Sequence, residues 1–345
     1  MIRNSIYFPA EWHDQVGVMI TFPHSKTDWE YMLEEAQDCF LHIAEQIALR
    51  EKLLVVTPSK KDVEILFSQF GVNMQNVTIF ECETNDTWAR DHAFLTLLNN
   101  ENPLLLDFCF NGWGEKFSSD LDNKINFSLF SSNVLQGEYV DCLDFVLEGG
   151  SIESDGKGTL LTTSKCLLAD NRNSMSKMEL EDYFKKKFYV ERVLWLDYGE
   201  LDGDDTDGHI DTLARFCSYD TIAYVQCNDE QDSHYCELKK MEQQLQSYRT
   251  LDGKPYNLLP LPMVDKIEEN GERLPATYAN FLIMNDAVLM PSYNQEKNDK
   301  RAKDVLQKAF PDKEIVLVDC RALIKQHGSL HCVTMQFPKQ VEFNL

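Results

Sequence analysis

Apolar and polar positions along this chain follow a pattern that repeats: two short strand-like runs, an amphipathic helix, then another strand. Apolar runs over 151–163, a helical stretch over 176–188 and a strand over 192–196 make one such group. The order recurs over 209–226, 231–248 and 256–261, and again over 281–290, 295–309 and 315–318. A fourth group takes 94–108, a weaker helix over 119–135 and a strand over 139–147. Helices are read from apolar positions three and four apart, strands from short β-rich runs bounded by turn residues. The N-terminal part predicts a strand over 16–22, a long helix over 29–50 and a strand over 53–57, followed by a helix over 60–70 and a strand over 77–81. It is one strand short, and the C-terminal run 330–337 is placed to supply it and close a ring. Five groups of about 60 residues each predict a radial, repeat-built α/β array and not an open doubly wound sheet. No low-complexity or Pro/Gly-rich linker divides them, so one domain is expected over 1–345.

Five polar motifs interrupt this pattern where loops meet apolar runs. They are Trp88-Ala89-Arg90-Asp91, Glu148-Gly149-Gly150, Asp205-Thr206-Asp207-Gly208-His209-Ile210-Asp211, Tyr278-Ala279-Asn280-Phe281 and Gly328-Ser329-Leu330-His331-Cys332. Loops carried on rigid elements are where functional side chains concentrate. Each motif falls near the beginning of a group. Groups arranged about an axis would bring the motifs to one end of it.

Composition narrows the setting. With 345 residues, 43% of them hydrophobic, the chain can bury a sizeable core. No apolar run approaches the roughly 20 residues that span a bilayer, and the first eight residues carry no export-signal core before Glu11, His13 and Asp14. A cytosolic protein is expected. Its ten cysteines, with no Cys-x-x-Cys pair, then read as free thiols. Thirty-three Lys and Arg against 57 Asp and Glu give a net charge of −24. That balance disfavours nucleic acid and anionic membranes as partners and attracts cations.

The candidate chemistry needs a thiol, an imidazole and carboxylates. Cys332 follows His331 at the start of the last predicted strand, and a thiolate there is a nucleophile. The plain alternative is one more buried cysteine. His209 and Asp211, two apart at the start of a predicted strand, would point to one face, with His209 as acid–base. Asp91 can pair its carboxylate with a guanidinium. Trp88 reads equally as pocket wall or core, and Arg90 as a structural partner of acidic loops. Glu148 ends the apolar run 143–147, where a carboxylate is costly unless paired, and a histidine is a natural partner. Asn280 also reads as a turn residue. Two metal readings fail. The run 202–208 looks like a calcium loop, but aligning its glycine at Gly208 leaves Gly203 and Ala214 at ligand positions. A zinc deaminase needs His-x-Glu and Pro-Cys-x-x-Cys, and the chain has neither.

In this order, the motifs, with Pro9-Ala10-Glu11-Trp12, Asn111-Gly112-Trp113-Gly114 and His331-Cys332-Val333-Thr334, resemble those of the agmatine deiminases. These are the peptidyl-arginine-deiminase-like branch of the penteins, and the resemblance covers nearly the whole chain. It implies a five-bladed pseudo-symmetric α/β propeller of ββαβ units. It implies hydrolysis of agmatine to N-carbamoylputrescine and ammonia, a step of putrescine synthesis, with no metal or organic cofactor. It implies that Cys332 forms an amidino-cysteine intermediate, that His209 is the acid–base oriented by Glu148, and that Asp91 and Asp211 grip the guanidinium. Asp205 would bind agmatine, with Trp88, Trp113 and Asn280 also lining its site. The partner is a small molecule, and a homodimer is compatible. Two departures stand out. His92-Ala93-Phe94 follows Asp91 where many relatives have Gly-Pro, and Gln326-His327-Gly328-Ser329-Leu330 replaces a Gly-Gly turn. The alternative substrates are peptidyl-arginine and free arginine. Both present a carboxylate or backbone that Arg usually recognises, yet 92–111 holds no Arg or Lys. A relative that binds polyamines without turning them over is a further alternative, against which Cys332 and His209 argue.

Overall fold

The computed structural model describes residues 6–344. The first five residues, on which the reading of an absent export signal partly rests, lie outside them. No helix among the described residues is long and apolar enough to cross a membrane. The chain divides into two compact units. Of the described residues, the first comprises Ile6, His13–Gly149 and 331–344; the second comprises Tyr7–Trp12 and Gly150–Leu330.

In the first unit, Met335–Pro338, Gln15–Thr21, Lys52–Thr57 and Val77–Glu81 form a sheet in that order. The C-terminal strand pairs antiparallel with Gln15–Thr21, and the remaining pairs are parallel. So the missing strand does come from the end of the chain. The helix Leu33–Ala48 packs on Lys52–Thr57. It buries Ala36, Cys39, Phe40, Ile43, Ala44 and Ile47, which recur three and four residues apart along one stripe. A second group pairs Leu95–Asn99 antiparallel with Asn102–Cys109, which runs parallel to Glu138–Val146. Its helix is Asp122–Ser131.

The second unit contains three more groups of the same order. Ile152–Ser154, Thr159–Thr163 and Arg192–Leu196 carry the helix Lys177–Lys187, which starts on a Ser176/Glu179 capping box. Ala214–Ser218, Thr221–Gln226 and Asn257–Pro262 carry Tyr235–Ser247. Leu282–Ile283, Ala287–Ser292 and Glu314–Asp319 carry Glu296–Ala309. A fully buried Arg215 ties this unit to its N-terminal segment. It bonds Glu11 at 2.7 Å, Glu153, and the carbonyl of Phe281 at 2.7 Å. Glu11 also accepts the Ile283 amide at 2.7 Å. A buried charge held this way is stable only while its partners remain.

Two strand expectations shift. The run 209–226 opens with a 3₁₀ turn, Ile210–Thr212, and its first strand begins only at Ala214. The run 330–337 becomes a strand only at Met335. His209, Asp211 and Cys332 therefore sit on turns that precede strands.

Candidate active site

In the first unit, Trp88-Ala89-Arg90-Asp91 enters the short helix Ala89–His92, all of it buried. One oxygen of Asp91 accepts the indole N–H of Trp113 at 2.9 Å. Trp113 stands in left-handed backbone (φ 56°) between Gly112 and Gly114, held by the Gly114 amide on Asn111 Oδ1 at 2.8 Å. Its ring lies edge-on to Trp88, centroids 6.3 Å apart, and Trp88 packs on Trp29. Two indoles and an oriented carboxylate suit a flat delocalised cation, by ring-face attraction and paired hydrogen bonds.

Arg90 is buried. Its amide donates to the Cys332 carbonyl at 3.1 Å, its Nε to the His331 carbonyl at 3.4 Å, and its Nη1 lies 3.4 Å from Met335 Sδ. These bonds tie Arg90 to the turn carrying Cys332. Cys332 is 5% exposed. Glu148 is wholly buried. The next residue, Gly149, meets Arg90 so closely that a Cβ would lie 2.2 Å from the Arg90 carbonyl. Within this unit the structure thus gathers Trp88, Asp91, Trp113, Glu148 and Cys332 around one segment.

That segment is splinted by the helix Asp122–Ser131. Asp122 accepts the amides of Asn85 at 2.7 Å and Asp86 at 3.3 Å. One turn on, Asn126 donates to the His92 carbonyl at 2.8 Å and to Asp107 at 2.7 Å. Asp86 accepts the Trp88 indole N–H at 3.2 Å. Burial, reinforced by the Asp28 charge, pushes the Asp86 carboxyl up to about 7 against its hydrogen bonds from Trp88 and Thr87. Burial pushes Asp122 up to about 8, with the Asp86 charge adding to it and the Asn85 amide opposing. Burial drives the His92 imidazole down to about 3, so it is neutral. Asp86, Asp122 and Asn126 escaped sequence reading because short polar residues in a loop and a weakly amphipathic helix carry no periodic signal.

In the second unit, His209 caps the 3₁₀ turn containing Asp211, and both are about 1% exposed. The turn is held by the His209 amide on Thr206 Oγ1 at 3.1 Å and by Thr212 Oγ1 on the His209 carbonyl at 2.8 Å. Asn280 donates to the Asp211 carbonyl at 3.4 Å, and Thr277 Oγ1 to the Thr212 carbonyl at 2.9 Å. Asp205 is half-buried in the preceding loop. Arg172, missed in the sequence because a lone Arg in an Asn-rich turn has no distinguishing neighbours, donates to Asp207 at 3.1 Å and the Thr206 carbonyl at 3.3 Å. Here His209, Asp211 and Asn280 come together, with Asp205 in the loop that leads into them.

Residues 7–338 match the sequence profile of a family described as the Porphyromonas-type peptidyl-arginine deiminases. A Legionella pneumophila protein provisionally named agmatine deiminase is 32% identical over 342 residues, 98% of this chain and 96% of that one. A provisionally named arginine deiminase from Porphyromonas gingivalis has a crystal structure 48% identical, with TM-score 0.92, covering 97% of this chain and 99% of its own. The structure of a C. jejuni agmatine deiminase with substrate bound is 40% identical, with TM-score 0.90, covering 97% and 96%.

Proposed function

This chain belongs to the Porphyromonas-type peptidyl-arginine deiminase family, and from that premise we propose that it is an agmatine deiminase, hydrolysing agmatine to N-carbamoylputrescine and ammonia. The fold is that of the penteins. Its closure into a five-bladed propeller, and its action as one catalytic domain over 1–345, belong to the proposal. The observation that carries the reading is Asp91: a buried carboxylate, oriented by Trp113, on the segment bonded to the Cys332 turn.

The roles are assigned as follows. Asp91 and Asp211 hold the guanidinium nitrogens, which fixes the central carbon for attack. The Cys332 thiolate adds to that carbon, and a C–N bond breaks as His209 gives a proton to the departing ammonia. The product is an S-alkyl thiouronium on Cys332. His209 then takes a proton from water, whose oxygen adds to the same carbon. The C–S bond breaks and returns the thiolate. Glu148 orients His209, Trp88 and Trp113 flank the cation, Asn280 supports Asp211, and Asp205 reads the distal ammonium. The chemistry calls for no metal or organic cofactor. We place it in the cytosol, in keeping with ten cysteines and no Cys-x-x-Cys pair, with every reacting group supplied by one chain whether or not two copies pair.

Free or peptidyl arginine is the second reading, favoured by the name of the P. gingivalis relative. Against it, Arg172, beside the acidic loop, is engaged by Asp207 and Thr206. The test is ammonia and ureido-product release from agmatine, from free arginine, and from peptides with internal or C-terminal arginine. Agmatine should be strongly preferred. Cys332→Ala should abolish turnover with the fold intact, and quenched wild type should carry the amidino adduct on Cys332. A preference for arginine, or an adduct on another of the ten cysteines, would overturn the reading. Substrate bound without any ammonia release would point to a silent polyamine binder.

A further inference from the structure

The loop from Asp202 to Gly208 carries Asp205 but contains no helix or strand. What fixes it is a set of bonds to its main chain, all within the second unit. The Asp202 amide donates to His234 Nε2 at 2.7 Å. An N–H can only donate, so Nε2 accepts and the ring's proton is on Nδ1, which faces Asp232 Oδ1 at 2.8 Å. Asp232 is gripped in turn by Arg273 through two parallel bonds of 2.8 and 2.9 Å. Burial pushes the Asp232 carboxyl up, but the bonds from Arg273 and His234 outweigh it and hold it below the usual carboxylate range. One residue further along, the Gly203 carbonyl accepts from His327 Nδ1 at 2.7 Å.

His327 stands at φ 64°, in the left-handed region that a Gly-Gly turn would occupy at no cost. The ring is therefore kept in a backbone conformation that favours its absence, and its bond to Gly203 is what that conformation delivers. Gly203 is itself left-handed (φ 87°), and a Cβ there would lie 2.2 Å from the Arg273 carbonyl. The loop thus rests on the residue that anchors the His234 side. Within it, Asp204 accepts Thr206 Oγ1 and the Gly208 amide, both at 2.6 Å.

We propose that His234 and His327 are positioning residues for substrate selectivity: two imidazoles, one accepting and one donating, that hold the loop main chain so that Asp205 is in place before the distal ammonium arrives. This rests on the assignment of Asp205 above. A loop ordered in advance spares the substrate the cost of ordering it. Neither ring touches a reacting atom, so the effect falls on binding of the charged tail and not on the chemical step.

The test pairs variants that keep or remove each bond. His327→Gly keeps the left-handed backbone and removes the donor, whereas His327→Asn keeps a donor in a residue that tolerates that backbone. His234→Leu removes the acceptor, whereas His234→Gln supplies an oxygen in its place. His327→Gly and His234→Leu should each raise KM for agmatine roughly three- to tenfold. The values for kcat, and for KM with butylguanidine, should hardly move. The Asn and Gln variants should stay near wild type. In an Asp205→Asn background, His327→Gly should add nothing to KM. Amide exchange over 202–208 should quicken in the two disruptive variants alone. Unchanged exchange, or an equal rise in KM for both substrates, would overturn the proposal. A protein that releases no ammonia from agmatine would remove the reading of Asp205, and the exchange rates would then judge the tether by themselves.

Discussion

Glu148 has no exposed surface and follows an apolar strand end, where an ionised carboxylate is tolerated only with partners of opposite charge or strong donors. Its proposed partner is the imidazole of His209, so its removal should be felt in proton transfer more than in binding. Glu148→Gln should lower kcat by about 10²- to 10⁴-fold, the range general acid–base groups supply, while KM for agmatine changes little. Steady-state and single-turnover rates check this; a pure loss of affinity would place Glu148 on the substrate. Cys332 and His209 stand out as candidates in the sequence because they lie in contiguous polar strings between apolar runs. Arg172 and Arg90 are not legible in the same way. The partners of a buried Arg lie far along the chain, and for Arg90 they include main-chain carbonyls at 331 and 332, which no side-chain pattern announces.

At the level of elements, the helix Asp122–Ser131 acts through its polar face, one turn apart at Asp122 and Asn126. The Asp122 carboxyl is raised to about 8 in the fold and stands near 3.9 in an unfolded chain. The unfolded state therefore releases this proton first. The group's contribution favours the fold below the unfolded value and is progressively lost as pH rises towards 8. Asp122→Asn should gain on wild type in denaturant stability between pH 6.5 and 8, by at most about 1.4 kcal/mol per pH unit. His92, lowered to about 3, is neutral in both states above about 6.5 and drops out of that window. A gap that does not change with pH would remove Asp122 as the titrating group. The helix Leu33–Ala48 and the strand Arg192–Leu196 emerge from periodicity because burial on one face is what periodicity records. The turn at 209–212 does not, because Thr206 and Thr212 hydroxyls bend it locally and override the β-branched composition that follows.

The whole chain bears a net charge of −24, and its proposed substrate is a dication. Fields of this sign draw cations in and weaken as salt shortens the Debye length from about 30 Å at 0.01 M to about 8 Å at 0.15 M. kcat/KM for agmatine should therefore fall over that range, and more steeply than for singly charged butylguanidine; no fall with salt for either would show that the field plays no part. The five recurring groups were readable because each repeats one order of apolar runs. The division into two units was not, because it follows no linker and leaves each unit assembled from separated stretches of chain. The pairing of Met335–Pro338 with Gln15–Thr21 has a consequence for synthesis. The ribosome makes Gln15–Thr21 among its first strands and must complete nearly everything else before the neighbour arrives. Until then one edge of that sheet offers unpaired amides and carbonyls to any passing strand, a standing invitation to aggregation. The turn bearing Cys332 emerges just ahead of that last strand, so a nascent chain arrested before it can hold most of its sheets and still lack the proposed nucleophile.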